Sequence, residues 1–291
     1  MKDKVYAQVY SMIRTFPEGL IDALKYFSEV GYDGVELVGS NTEGLTLDEF
    51  KNLLAQLHLK VAAVHSIGGV EDMNFAKALG VKYITTDCHP ELKTREEILG
   101  ICDELNAMAE EYHRNGLKMI LHNHADEFDW IKGEEGKTRI YDLLLEKTDP
   151  EKIGFELDVG WAALTGVDMV AMINKNPGRF PMIHVKECDR LAATPEDLEH
   201  FPKRIFNADL PRNPETGVPI LTEEQKQSLY ETRNWNKALG KGIIDWKALV
   251  AAADAQGCEA YISEREYYHY EGSDGTAACC VKLDYDYLRS L

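Results

Sequence analysis

The sequence predicts a (β/α)8 barrel. Eight short, apolar, β-branched-rich segments alternate with amphipathic helical stretches from one end to the other. The runner-up, a doubly wound sheet, usually shows a glycine-rich phosphate turn after its first strand, whereas this chain reads Tyr10-Ser11-Met12-Ile13-Arg14. Four later segments end abruptly on residues that ligate metals or move protons: Leu121-His122-Asn123-His124, Phe155-Glu156-Leu157-Asp158, Ile183-His184-Val185-Lys186 and Ile262-Ser263-Glu264-Arg265-Glu266. In a barrel of parallel strands, such endings gather at one mouth.

The expected strands are Val5–Ser11, Gly34–Val38, Lys60–His65, Tyr83–Thr86, Lys118–His122, Ile153–Leu157, Pro181–Val185 and Ala260–Ser263. Their near-continuous apolar character suits strands covered on both faces. Among the helices, 95–115 has the clearest period, with Ile98, Ile101, Cys102, Leu105, Met108, Ala109 and Tyr112 on one face. Thr94 with Glu97 and Thr46 with Glu49 are capping boxes, in which side chains satisfy the first free amides of a helix. Gly31, Gly80 and Gly116 fall between a helix and the next strand, where a left-handed residue ends the helix. A closing helix is expected near 275–289.

The rhythm breaks once. Between the seventh strand and a helix starting near Asp245, residues 187–244 form a stretch rich in Pro, Asn and charge, against ~2–6 residues for an ordinary βα loop. Thr194-Pro195-Glu196-Asp197 and Thr222-Glu223-Glu224-Gln225 are helix starts within it. We read the chain as a single barrel, 1–291, with 187–244 inserted on the catalytic face. There the insertion is placed to act as a lid, or else as decoration or an oligomer contact.

Composition narrows the partners. Lys and Arg number 32 against 50 Asp and Glu, a formal charge of −18. This argues against nucleic acid or an anionic membrane as partner. The six cysteines lack CxxC spacing and read as buried, reduced thiols. No signal-peptide core follows Met1-Lys2-Asp3-Lys4, and no window approaches the ~20 apolar residues of a membrane helix. The expectation is a soluble cytoplasmic protein, with a homo-oligomer left open.

Alternate residues of a strand share a face, so His122 with His124, Glu156 with Asp158, His184 with Lys186, and Glu264 with Glu266 point together. Carboxylates and imidazoles without thiolates suit one divalent ion, Mn, Mg, Co or Zn, rather than a structural zinc site. Converging carboxylates would otherwise repel one another. Glu36 and His65, each ending a strand, are candidate substrate contacts, as are Lys186 and the indole of Trp161. Each has an ordinary alternative: a loop-edge carboxylate, a cap on the mouth, a structural ion pair and a packing tryptophan. His89 lies just after the fourth strand, near the expected mouth.

Five stretches taken in order carry a family resemblance: Gly31-Tyr32-Asp33-Gly34-Val35-Glu36-Leu37, Leu121-His122-Asn123-His124 with Glu127-Phe128, Leu157-Asp158-Val159-Gly160-Trp161, His184-Val185-Lys186, and Glu264-Arg265-Glu266. Through them the chain resembles the sugar phosphate isomerase/epimerase family of xylose isomerase-like barrels, which also includes endonuclease IV, inosose dehydratases and ketose 3-epimerases. The resemblance implies one divalent metal held by Glu, Asp, His and Glu from strands five to eight, here Asp158, His184 and Glu264. The first ligand departs from the pattern: where many relatives have Glu-Asn-His, this chain has His122-Asn123-His124. Either His122 or Glu127 takes that place; Glu127 is favoured, because it keeps three carboxylates and one imidazole around the ion.

The implied activity is that of a sugar isomerase or epimerase, removing a proton next to a carbonyl of a small sugar or polyol-derived ketone through an enediolate. The acid/base candidates are His122, His124, Glu156 and Glu266. Two alternatives stay open: a lyase or dehydratase of the inosose dehydratase or 3-keto-glycoside eliminase type, and a non-catalytic sugar-binding barrel.

Overall fold

A computed structural model describes residues 3–13, 19–67, 69–88, 94–192, 222–231 and 233–291. Eight parallel strands close on themselves: β1 (Val5–Gln8), β2 (Gly34–Val38), β3 (Lys60–His65), β4 (Tyr83–Asp87), β5 (Lys118–His122), β6 (Ile153–Asp158), β7 (Met182–Val185) and β8 (Ala260–Ser263). Each pairs with its sequence neighbour, and β8 pairs with β1. Helices α1 (Leu20–Val30), α2 (Leu47–Gln56), α3 (Val70–Leu79), α4 (Arg95–Arg114), α5 (Ile140–Lys147), α6 (Met169–Lys175), α7 (Trp246–Ala255) and α8 (Ala277–Ser290) alternate with the strands. This is the (β/α)8 barrel that the alternating pattern predicts.

Local chemistry sets the boundaries. Both capping boxes form, with Thr46 and Thr94 each accepting from the amide three residues on. Gly31 and Gly80 close α1 and α3 in the left-handed region, at φ 106° and 75°, where a Cβ would add strain. On α4 the buried face is Ile98, Cys102, Leu105, Ala109 and Tyr112; Met108 of the expected stripe is exposed instead. Strand β1 is shorter than the expected 5–11. After Gln8 the chain turns into a single helical turn, Tyr10–Ile13, with the Tyr10 amide donating to Gln8 Oε1 at 3.2 Å.

The inward-facing positions are layered. Tyr6, Ala63, Tyr83, Ile120, Met182, Ala260 and Ile262 form one apolar cluster contributed by alternate strand positions. Two residues further along the same strands the side chains become Gln8, His65, Asp87 (after Thr85), His122 and His184. A larger apolar cluster packs the outward strand faces against the helices. Apolar residues thus fill the barrel interior below a polar floor.

Of the insertion, 187–192, 222–231 and 233–244 are described; the expected helix start 194–197 lies outside the described residues. The second expected start is present as a helix, Glu223–Glu231, with the Thr222 amide donating to Gln225 Oε1. Glu187–Cys188 pairs with Asn236–Lys237 as an antiparallel ribbon. The buried Glu187 carboxylate ties this ribbon to the frame, accepting from the Gly240 amide at 2.8 Å, the Cys188 amide at 3.0 Å and Trp246 Nε1 at 2.7 Å. On the other side of β8, buried Arg265 forks onto Asp284 of α8 and donates to Asn236 Oδ1 and the Lys237 carbonyl.

Candidate metal centre at the barrel mouth

Register brings the strand ends level. His122 is opposite Glu156 across β5–β6, and Asp158 is opposite His184 across β6–β7. As a result His122, Asp158, His184 and Glu264, all buried, each offer one ligand atom, and those atoms lie within 4.8 Å of one another.

Local structure fixes each group. Asp158 ends β6 and caps the helix that follows at once, Val159–Leu164: its Oδ1 accepts from the Gly160 and Trp161 amides at 3.0 Å each. Its Oδ2 is therefore left facing the mouth, 2.9 Å from Lys186 Nζ and 3.9 Å from His184 Nδ1. Asn123, on the opposite face of β5, accepts from the Asp158 amide at 3.0 Å and holds the strand end in place. His184 Nε2 meets Glu36 Oε2 at 2.8 Å, and its Nδ1 stands 3.3 Å from Glu264 Oε2. Gln8 Nε2 donates to the same Glu36 oxygen at 2.8 Å. His122 Nδ1 meets Glu156 Oε2 at 3.2 Å.

Glu127, favoured over His122 from sequence as the fourth ligand, does not join this group. It lies in a 3-10 turn, Asp126–Phe128, and its Oε2 accepts from the His124 amide at 2.8 Å. Burial pushes its carboxyl well above the usual range, and two backbone hydrogen bonds only partly oppose this. The set that the structure assembles is two imidazoles and two carboxylates.

The buried Lys186 ammonium balances the acids, 2.9 Å from Asp158, 2.7 Å from Glu264 and 2.9 Å from Glu266. Burial alone would lower its pKa, but these carboxylates raise it. Burial opposes ionisation of Glu264 and Glu266 too; Lys186 more than offsets it, aided by His184 at Glu264 and by Arg233 at Glu266, which falls to about 2. Glu156 goes the other way, pushed up by burial and by nearby Glu36. Burial holds His124 down at about 4. For His65, the Asp87 carboxylate at 3.2 Å from Nε2 outweighs burial and lifts the pKa to about 9.

The donor set fits a divalent ion. His184 Nδ1 and Asp158 Oδ2 are buried without an aligned hydrogen bond among the described residues. Mixed imidazole and carboxylate donors at this spacing suit Zn, Co or Mn. Groups from four strands converge on one point, which a cation would neutralise.

Trp161 is 4% exposed, edge-on to His124 at 5.5 Å and to Trp235 at 4.8 Å. The Arg233 guanidinium lies 4.7 Å over its ring, with Nε 3.2 Å from Glu266 Oε1. Sequence reasoning missed Arg233, Trp235, Asp87 and Gln8. Asp87 carried the same signal as the four recognised runs, a polar ending to an apolar strand, one residue past the expected boundary. Arg233 and Trp235 sit in the irregular insertion and carried none. His89 lies outside the described residues.

The fold and this mouth define a β/α-barrel with a two-imidazole, two-carboxylate centre. Residues 24–278 match the family described as xylose isomerase-like TIM barrel, and the chain belongs to that family. By sequence it is similar to an inosose dehydratase of Geobacillus thermodenitrificans, 26% identical over 170 residues, covering 58% of this chain and 46% of that one. It spans about half the length of the inosose dehydratases it matches. In structure it is similar to a sugar phosphate isomerase/epimerase from Parabacteroides distasonis, with a TM-score of 0.71 at 18% identity over 100% of this chain and 95% of that one. The IolI protein, crystallised with a binding zinc atom, gives a TM-score of 0.61 at 15% identity over 99% and 97%. Among the described residues, no helix is long and apolar enough to cross a membrane.

Proposed function

We propose that the chain is a metal-dependent enzyme that removes a proton next to the carbonyl of a small sugar or polyol-derived ketone. The observation that carries this reading is the convergence of His122, Asp158, His184 and Glu264 within 4.8 Å. These four residues would hold the ion. When bound, it supplies Lewis acidity that makes the C–H between a carbonyl and its neighbouring hydroxyl more acidic.

The remaining groups divide the work. Of the four acid/base candidates, His122 and Glu156 are buried, whereas His124 and Glu266 are partly open to the mouth. We assign the proton transfers to these two. Lys186 holds a substrate oxygen and keeps Glu266 ionised. Trp161, with Arg233 over its face and Trp235 at its edge, forms one wall.

The step after proton removal decides the reaction class. The inosose dehydratase relatives favour elimination: the electron pair left at the α-carbon forms a C=C bond, and the β-carbon C–O bond breaks. The departing oxygen takes the proton that the base has just removed and leaves as water, giving an unsaturated ketone. Return of the proton, as in an isomerase or epimerase, is the second reading and follows from the same residues. A polyhydroxy ketone in deuterated buffer separates the two. Elimination gives a product with enone absorbance; epimerisation or isomerisation gives deuterium in the recovered sugar. Elemental analysis tests the centre itself: about one equivalent of Zn, Co, Mn or Mg in the wild type, lost in Asp158→Ala. No metal in the wild type, even after divalent ions are added back, would overturn the reading in favour of a binding barrel.

A further inference from the structure

We infer that Glu36 and Glu156 are positioning residues, each fixing the ring of one metal-facing histidine so that its free nitrogen turns toward Asp158 and Glu264. The inference deepens the metal reading above and rests on it. It also moves both carboxylates from the places expected for them, Glu36 against substrate and Glu156 among the four acid/base candidates.

The geometry is one layer below the mouth. Glu36 and Glu156 are fully buried. Glu36 Oε2 takes His184 Nε2 at 2.8 Å, while Nδ1 of the same ring faces Glu264 Oε2 at 3.3 Å and Asp158 Oδ2 at 3.9 Å. Glu156 Oε2 takes His122 Nδ1 at 3.2 Å, which leaves Nε2 as the ring atom available to the four-residue group. The same Glu156 oxygen is 3.4 Å from His184 Nε2, so both rings turn their inner nitrogens toward the two acids. The rings themselves meet edge to face, 4.6 Å between centroids.

A carboxyl oxygen set against a ring nitrogen accepts its N–H, which places the imidazole proton on the nitrogen facing Glu36 or Glu156. In a ring with one proton, the other nitrogen then presents its lone pair. Metal-bound histidines commonly donate their second N–H in this way, which sets the tautomer and makes the ligand more basic. Gln8 steadies Glu36 through the bond at 2.8 Å. Register puts His122 beside Glu156, so the pairing is written into strand alignment rather than into a loop.

The test uses zinc-loaded protein labelled with 15N at histidine. Two-bond proton–nitrogen correlations report which ring nitrogen binds the ion, and signals are assigned by their loss in His122→Gln and His184→Gln. The expected result is a proton on Nδ1 and zinc on Nε2 for His122, and the reverse for His184. In parallel, zinc affinity is measured against a chromophoric chelator. Glu36→Ala and Glu156→Ala should each bind about 10- to 100-fold more weakly. Glu36→Gln and Glu156→Gln keep an acceptor oxygen and should retain most of the affinity, a rescue that a purely electrostatic role does not give. Should an alanine variant fail to fold, the glutamine variants and the wild-type spectrum decide.

Opposite tautomers, or alanine variants with wild-type zinc affinity, would overturn the inference while leaving the metal reading intact. A wild type that binds no zinc would overturn both.

Discussion

Replacing Arg265 by methionine should destabilise the protein through one buried ion pair. Arg265 and Asp284 are both fully buried, and the guanidinium forks onto the carboxylate with two N–H groups. Asp284 has one further partner, Ser263 Oγ at 3.0 Å. Arg265→Met therefore leaves an ionised or newly protonated carboxyl in an apolar setting, a loss of about 3–5 kcal/mol. It also strips Asn236 and the Lys237 carbonyl of a donor, at about 1 kcal/mol each if water does not replace it. Asp284→Leu, which orphans the guanidinium instead, should cost a similar amount. The double variant removes both charges and should recover at least about 2 kcal/mol relative to the sum of the single changes, because replacing a whole buried pair is often near neutral. Urea unfolding of the four proteins of this cycle, compared at equal m-value, gives the coupling directly. Additive single effects, or a loss below about 1 kcal/mol for Arg265→Met, would refute the reasoning and show that water reaches the pair.

Three further outcomes follow from other contacts. In metal-free protein, His65→Gln should lower the urea midpoint more at pH 6.5 than at pH 9.5; both values are chosen around the folded pKa of about 9 and an unfolded value of about 6.5. The sign follows from the raised folded pKa: the stabilisation is fully present below the unfolded value and is lost as pH rises through the folded one. An equal difference at both pH values would contradict the His65–Asp87 pairing. Gly160→Ala puts a Cβ 2.8 Å from Lys186 Cβ and 2.9 Å from its carbonyl oxygen; the overpacking should cost about 1–3 kcal/mol, and a thermal melt unchanged from wild type would rule the clash out. Glu187→Gln loses the charge that gathers the Gly240, Cys188 and Trp246 donors, so trypsin should cut within 187–244 faster while the barrel's melting changes little; unchanged cleavage would mean that other contacts hold the insertion.

Strand ends were legible in the sequence because a buried parallel strand changes character sharply where it leaves the sheet. The apolar run Met119-Ile120-Leu121 followed by His122 shows this, and so does Ile262 followed by Ser263 and Glu264. Periodicity then placed His122, Glu156, His184 and Glu264 on inward faces. The choice between His122 and Glu127 was beyond such reasoning. It depends on the 3-10 turn at 126–128, which folds the Glu127 carboxylate back onto the His124 amide. The helix beginning at Val159 was also hidden, since Asp158 is at once the last strand residue and the helix cap. Arg233 was out of reach for another reason: its approach to Glu266 depends on long-range closure of the insertion, which no local pattern encodes.

The ribbon Glu187–Cys188 with Asn236–Lys237 has a consequence for how this barrel can diversify. It brings the two ends of a long excursion together beside the mouth, and the Ile243 amide on the Cys188 carbonyl at 2.8 Å closes the collar. A closed collar separates what lies inside it from what lies beneath. Lengthening a loop whose ends are already joined costs only logarithmically in entropy, about 0.6 kcal/mol for each doubling. Chain can therefore be added, removed or exchanged between Asp189 and Arg233 without loosening the floor of histidines and acids.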